Sequence, residues 1–208
     1  MIDNLNGEQK AIGGVVPCDQ KKYNIIYADP PWKLNISKNR PEWGDATYPT
    51  MKTKEICELP VYNICLDNCA LFMWVTMPFL EEGFNVINSW GFKYVTCAFV
   101  WVKQNRNGAG IFSGLGQWVN GNAELCLFAR RGKLIRKNKN VKQIVLSPVG
   151  THSKKPDEIK HRIINLLGDL PRIELFARQK TEGWDVWGNE VENDISLPLI
   201  PKGRGNCD

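Results

Sequence analysis

Asp29-Pro30-Pro31-Trp32 puts a carboxylate, two prolines and an indole side by side directly after an apolar run, Tyr23-Asn24-Ile25-Ile26-Tyr27-Ala28. The run is apolar except for Asn24 and reads as a buried strand. Proline cannot donate to a sheet ladder and restricts the residue before it, so the strand must stop at about Asp29. That leaves a carboxylate at the carboxyl end of a core strand, where open α/β sheets bind ligands. An acceptor, a stiff carbonyl track and an aromatic plate suit a planar base carrying an exocyclic amine. A strand end and a proline turn would explain Asp29-Pro30 alone. The full word arises by accident in roughly one chain of this length in a thousand, and it takes its meaning from context.

The elements that must hold this word in place follow in order. Lys33 to Pro49 is polar and contains Trp43 and Tyr48, a long loop of the kind used as a lid. Thr53 to Leu59 reads as a short helix ended by Pro60. Ala70 to Val75 is a second buried strand. Pro78 then opens a helix whose apolar stripe is Phe79, Val86, Ile87 and Trp90, with Gly91 as its stop. Tyr94 to Val102, Ala123 to Ala129 and Gln143 to Leu146 read as strands three to five. Between the first two of these lies a glycine-rich loop, basic at its start (Lys103, Arg106) and aromatic at Trp118. No helix pattern follows that loop, so it is not a dinucleotide turn. It suits either a gate over nucleic acid or a plain surface loop. Pro156, Asp157 and Glu158 open a last helix with Ile159, Ile163, Ile164 and Leu167 inward, and Arg172 to Arg178 is the last strong strand. Strands alternating with helices imply a doubly wound α/β sheet. One domain is expected over 21–192, after an irregular lead-in (1–20) and before a loose tail (193–208).

Composition narrows the function classes. The 208 residues are 43% hydrophobic and 24% charged, ordinary for a soluble domain. No window reaches transmembrane length and the N-terminus has no signal-peptide pattern, so a cytoplasmic location with no membrane partner is expected. Seven cysteines, an odd number lying mostly inside apolar segments, read as reduced core thiols. Cys65-x3-Cys69 has no partner pair and only two histidines are present, so no metal site is expected. The net charge of +5 is unevenly spread. Residues 101–145 hold nine basic side chains and one acid, Glu124, whereas the first hundred residues hold nine basic and eleven acidic. Such a local excess is the footprint of a polyanion-binding surface, or of a solvated hairpin whose lysines guard its edge.

The Asp29 to Trp32 word resembles the catalytic motif of S-adenosylmethionine-dependent amino-methyltransferases. Its Trp ending is similar to the N6-adenine branch typified by the catalytic subunit of the mRNA adenosine methylation complex, a branch with small bacterial and phage members. Further segments resemble the family in the same order: Phe72-Met73-Trp74-Val75-Thr76, Trp101-Val102-Lys103, Gly116-Gln117-Trp118, Lys155-Pro156-Asp157-Glu158-Ile159, Ile173 to Arg178 and Trp187-Gly188-Asn189-Glu190. The resemblance covers roughly Tyr23 to Val191. It implies a Rossmann-like doubly wound sheet in permuted order, with the catalytic motif in the N-terminal half and the cofactor half C-terminal, which accounts for the missing glycine fingerprint.

The resemblance also implies roles. Asp29 and the Pro30 carbonyl would accept the two N–H groups of adenine's amine, Pro31 would stiffen the turn, and Trp32 and Tyr48 would hold the ring. Lys103 and Trp118 would touch the nucleic acid. Asp29, Lys155, Arg178, Asn189 and Glu190 would bind S-adenosylmethionine, the last two at its ribose. Where the family's eukaryotic member follows the strand with a His-Asn pair, this chain has Gln179, Lys180 and Thr181. Small size favours DNA over RNA as the substrate, and a homodimer or a heteromeric partner is compatible with the pattern. A different reading is a catalytically inactive nucleic-acid-binding subunit, but such chains lose the acid or the aromatic of the motif and this one keeps both. A third reading is methylation of cytosine's amine, for which related enzymes carry Ser and Tyr at the positions of Asp29 and Trp32.

Overall fold

The computed structural model describes residues 21–33, 49–114, 116, 118–150 and 154–197. In chain order they form β1 (Tyr23–Ala28), α1 (Thr53–Cys57), β2 (Cys65–Val75), α2 (Leu80–Ser89), β3 (Lys93–Gln104), β4 (Ala123–Arg131), β5 (Ile144–Pro148), α3 (Glu158–Leu167), β6 (Arg172–Leu175) and β7 (Asp185–Trp187). Single 3-10 turns at Val61–Ile64 and Met77–Phe79 precede β2 and α2. The expected lead-in and the polar lid with Tyr48 lie outside the described residues. Among the described residues no helix is long and apolar enough to cross a membrane.

The seven strands make one sheet in the order β5-β3-β4-β2-β1-β6-β7. β1 runs parallel to β2 and β6, and β6 parallel to β7. β4 is antiparallel to both β2 and β3, so the sheet is mixed rather than uniformly parallel. Alternation along β1 explains why both faces are dry. Ile26 and Ala28 pack on one side with Ile56 of α1 and Val86 and Ile87 of α2. Ile25 and Tyr27 pack on the other with Ile159, Ile163 and Leu167 of α3. Helices therefore cover both faces, as the alternating pattern predicts. Burying each of the three α3 side chains contributes about 2 kcal/mol, so an acid at Ile163 would detach the helix from the sheet.

Three departures from the sequence pattern bear on the site. β2 begins five residues before Ala70, because exposed Asp67 and Asn68 interrupt the apolar run without ending the strand. β6 ends at Leu175 rather than Arg178, because Phe176 adopts a left-handed backbone with φ 63°. That conformation costs about 1–2 kcal/mol for a residue with a side chain. The packing that holds it is an edge-on contact of the Phe176 ring with Trp187, centroids 5.5 Å apart, and a hydrogen bond from the Ala177 N–H to the Trp187 carbonyl. Finally, Ile195 and Leu197 are buried in the core, so the packed chain continues past the expected boundary at 192.

Candidate active site

Parallel pairing of β1, β2 and β6 brings their carboxyl ends to one rim, where Ala28 sits beside Met73 and Leu175. Antiparallel β4 delivers its amino end to the same rim, with Leu125 opposite Val75. α3 leads down into β6, so the residues ahead of its first turn lie there too. One cleft collects these ends. Its walls include Asp29, Pro30, Pro31, Trp32, Trp74, Thr76, Phe79, Glu124, Lys155 and Arg178.

A chain of alternating charges runs through the cleft floor. Lys155 Nζ donates to Asp29 Oδ2 at 2.7 Å and lies 3.3 Å from Glu124 Oε2. The other oxygen of Glu124 accepts from Lys103 Nζ at 2.6 Å. The side chains of Lys155 and Glu124 are 10% and 5% exposed, that of Asp29 34%. Asp29's exposed part faces the cleft, between Trp74, Glu124 and Arg178. Burial therefore still dominates and raises its carboxyl above the ordinary range, against the opposing pull of Lys155; Glu124 adds to the rise and Arg178 opposes it. For Glu124 burial also acts upward, but Lys155 and Lys103 together outweigh it and hold the carboxyl low. Lys155 is pushed up: burial disfavours its ammonium, and the charges of Asp29 and then Glu124 prevail. The result is a carboxylate with raised proton affinity, held by a cation that stays charged.

The expected residues divide in four. Asp29, Pro30, Pro31, Trp32, Lys155 and Arg178 meet in the cleft. Pro30's carbonyl already accepts the Trp32 N–H at 2.9 Å, which fixes the turn and leaves a second lone pair. Trp32 is not the open plate its type suggested. It is 9% exposed, donates its indole N–H to the Trp74 carbonyl at 3.2 Å and stacks on Phe79 at 5.5 Å. It is a wall of the cleft. Lys103 joins the site only through Glu124, with its ammonium 5.1 Å from the Trp101 ring. Trp118 is not on the cleft wall; it stands 96% exposed in the β3–β4 loop. Asn189 and Glu190 are exposed just after β7, and Glu190 Oε1 lies 3.8 Å from Arg178 Nε. Tyr48 is outside the described residues.

Gly188 explains how the segment carrying Asn189 and Glu190 comes so near the one carrying Arg178. A Cβ at Gly188 would lie 2.0 Å from the Ala177 carbonyl oxygen, so no other residue allows that approach. With the left-handed Phe176, it sets Arg178 against the cleft. Strain of this kind gathers where a side chain must be aimed.

The sequence reading missed Trp74, Thr76, Phe79 and Glu124 as cleft residues. Glu124 did carry a signal, as the one acid of a basic stretch and lying on a strand. Trp74 and Thr76 lay in a segment that resembles the family without a role assigned to them, and Phe79 read only as part of a helix's apolar stripe.

Comparison with known proteins fits this geometry. The MT-A70 family profile matches residues 23–190. The chain is similar to the type II methyltransferase M.MunI of Mycoplasma sp, 36% identical over 199 residues that cover 86% of this chain and 82% of that protein. It is also similar to the N(6)-adenosine-methyltransferase catalytic subunit METTL3 of Homo sapiens, 30% identical over 175 residues, and to the MT-A70-like N(6)-adenosine-methyltransferase of Arabidopsis thaliana, 30% over 179. Those matches cover 82% and 84% of this chain but only 28% and 24% of the relatives, so the chain spans about a quarter of the adenosine methyltransferases it resembles. By the extent of the profile match and the identity to a relative of similar length, the chain belongs to the MT-A70 family of methyltransferases.

Proposed function

We propose that this protein transfers a methyl group from S-adenosylmethionine to the exocyclic N6 amine of adenine in nucleic acid, with DNA favoured over RNA. The observation that carries the reading is Asp29 at the carboxyl end of β1, facing a cleft and fixed through one oxygen by Lys155. The preference for DNA rests on the relatives: M.MunI, matched over 82% of its own length, is named a type II methyltransferase rather than an adenosine methyltransferase.

The residues present suit the cofactor. Its methionine end carries a carboxylate and an ammonium, and the cleft offers the cation of Arg178 beside the carboxylates of Asp29 and Glu124. Asn189 and Glu190, held near Arg178 by the Gly188 approach, suit ribose hydroxyls. A permuted chain order, with the catalytic word first and the cofactor half last, would suit that division of labour, since these residues follow the catalytic word. When bound, S-adenosylmethionine supplies an electrophilic methyl on its sulfonium.

The chain's own part is positioning. Adenine's amine is a poor nucleophile because its lone pair is delocalised into the ring. Asp29 accepts one N–H of the amine and the spare lone pair of the Pro30 carbonyl accepts the other. These two acceptors orient the nitrogen and favour its rehybridised form. Lys155 holds Asp29 Oδ2 so that the carboxylate does not turn away. Burial has raised the proton affinity of Asp29, so its carboxylate is the acceptor at hand for the proton the amine gives up. Trp32 and Phe79 keep the wall of the cleft apolar around a base taken out of its stack.

The test is methyl transfer from labelled S-adenosylmethionine to unmethylated DNA and to RNA, followed by nucleoside analysis. N6-methyladenine in the DNA pool is the expected product. Label in RNA alone overturns the substrate preference, and label on cytosine overturns the chemistry.

A further inference from the structure

The basic stretch that suggested a polyanion does not surround the cleft. β4 carries the chain away from it, from Glu124 at the cleft to Arg130 and Arg131 at the opposite pole of the sheet, beside Cys69, Ala70 and Lys93. At about 3.4 Å per residue that is roughly 20 Å. The following segment then returns along the outside of the sheet. Lys142 lies where β5 begins, its carbonyl accepting from Arg162 Nη1 at 2.6 Å, and β5 runs back up to the cleft end of β3. Arg130, Arg131, Lys133, Arg136, Lys137, Lys139 and Lys142 thus form a track from the far pole to the β5 edge.

Three features distinguish this track from a solvated loop. First, among the described residues none of its seven cations makes an ion pair with a carboxylate, and the chain has no acid between Glu124 and Asp157. Three acids border it, Asp67, Asp169 and Glu158; the second is already paired with Arg172 at 2.5 Å and the third with Arg162 at 2.6 Å. Second, its backbone is pinned. Gly132, with φ 65°, fits where a Cβ would come within 2.3 Å of the Asp67 carbonyl oxygen. The Lys133 N–H donates to Asn68 Oδ1 at 2.7 Å, and the Lys137 N–H to the Leu166 carbonyl at 2.8 Å. Third, Leu134 and Val141 pack inward against the α3 side of the core, so the cations between them face outward from a fixed base. A preorganised array of unneutralised cations binds phosphates at low ordering cost.

We propose that residues 130–142 contact the phosphates of the DNA that flanks the target adenine, extending the nucleic-acid footprint along the β5 edge to the far pole. The proposal rests on the nucleic-acid reading above and adds a surface that begins at Lys142, two strands across from the cleft rim, and ends at the far pole. The test is the quadruple variant Lys133→Gln/Arg136→Gln/Lys137→Gln/Lys139→Gln, compared with wild type in DNA binding as a function of salt. Two unmethylated DNA duplexes with a central adenine serve, one of about 10 base pairs (~34 Å) and one four times longer. On the long duplex the variant's plot of log affinity against log salt should be shallower by up to about 3.6, at 0.9 per lost phosphate contact. Its KM should rise with kcat unchanged. On the short duplex variant and wild type should coincide. Identical slopes and affinities on both duplexes overturn this inference alone. Wild-type protein that binds neither duplex overturns the preference for DNA in the functional reading and this inference with it.

Discussion

Lys155 Nζ lies 2.7 Å from Asp29 Oδ2, although the two residues stand 126 positions apart in the chain. The same ammonium also approaches Glu124, and the face of Trp74 lies 5.7 Å away. Lys155 therefore acts first on Asp29, the residue proposed to orient the amine, whatever further contact it makes with a bound cofactor.

Asp29→Ala should abolish methyl transfer while leaving the fold intact. The variant removes an acceptor the reaction needs and a charge that burial disfavours, and Lys155 keeps Glu124 as its partner. A fall in kcat/KM of at least about a thousandfold is expected, at the upper end of what a single positioned catalytic group supplies. Melting within a few degrees of wild type would accompany it. Full activity in the variant would sink the mechanism.

Lys155→Met should shift the pH dependence in a defined direction. Lys155 opposes the burial that raises Asp29, so its loss lets the Asp29 carboxyl rise further. The acid limb of log kcat/KM against pH should move to higher pH. Stability should fall as well, by about 3 kcal/mol, because Glu124 and Asp29 lose their shared cation. Lys155 is raised in the fold, so this contribution is fully present below its ordinary value of 10.5 and fades as pH climbs through the folded value. An unmoved acid limb would mean that Lys155 is not the partner that matters.

Glu124→Gln provides the complementary experiment. Glu124 is held below its ordinary 4.5 in the fold, so its ionised form stabilises the protein above that value. As pH falls through the lowered folded value, the contribution is lost. The variant should therefore melt below wild type at pH 7, and the gap should close in acid. Thermal melts across that range decide it; a gap constant with pH would show that the charge of Glu124 is not what stabilises.

Trp118→Ala separates substrate contact from packing. The side chain is almost fully exposed, so stability should change by less than about 0.5 kcal/mol. If the indole stacks on a base, KM for nucleic acid should rise by about 5- to 150-fold, as losing one stacked base costs about 1–3 kcal/mol. Unchanged KM would make Trp118 an ordinary surface residue.

What the sequence determined by itself is local: β1 and the turn at Pro30-Pro31, the inward faces of α2 and α3, and hence a carboxylate at a strand end. Proline's fixed backbone and the period of apolar side chains act over a few residues and need no partner to be read. The tertiary structure decided the rest. Trp32 was readable as an aromatic plate, but whether its face is open depended on Phe79 and the Trp74 carbonyl reaching it. The run Arg172 to Arg178 reads as one strand, yet it breaks at Phe176 because Trp187 packs there from eleven residues away. β7 is three residues long, too short for any periodicity to show. The basic stretch was plain in the composition, but its place at the far pole followed from the antiparallel pairing of β4. Charges and strands meet across long separations only after the sheet order is set, and sheet order is a property of packing that no single window of sequence contains.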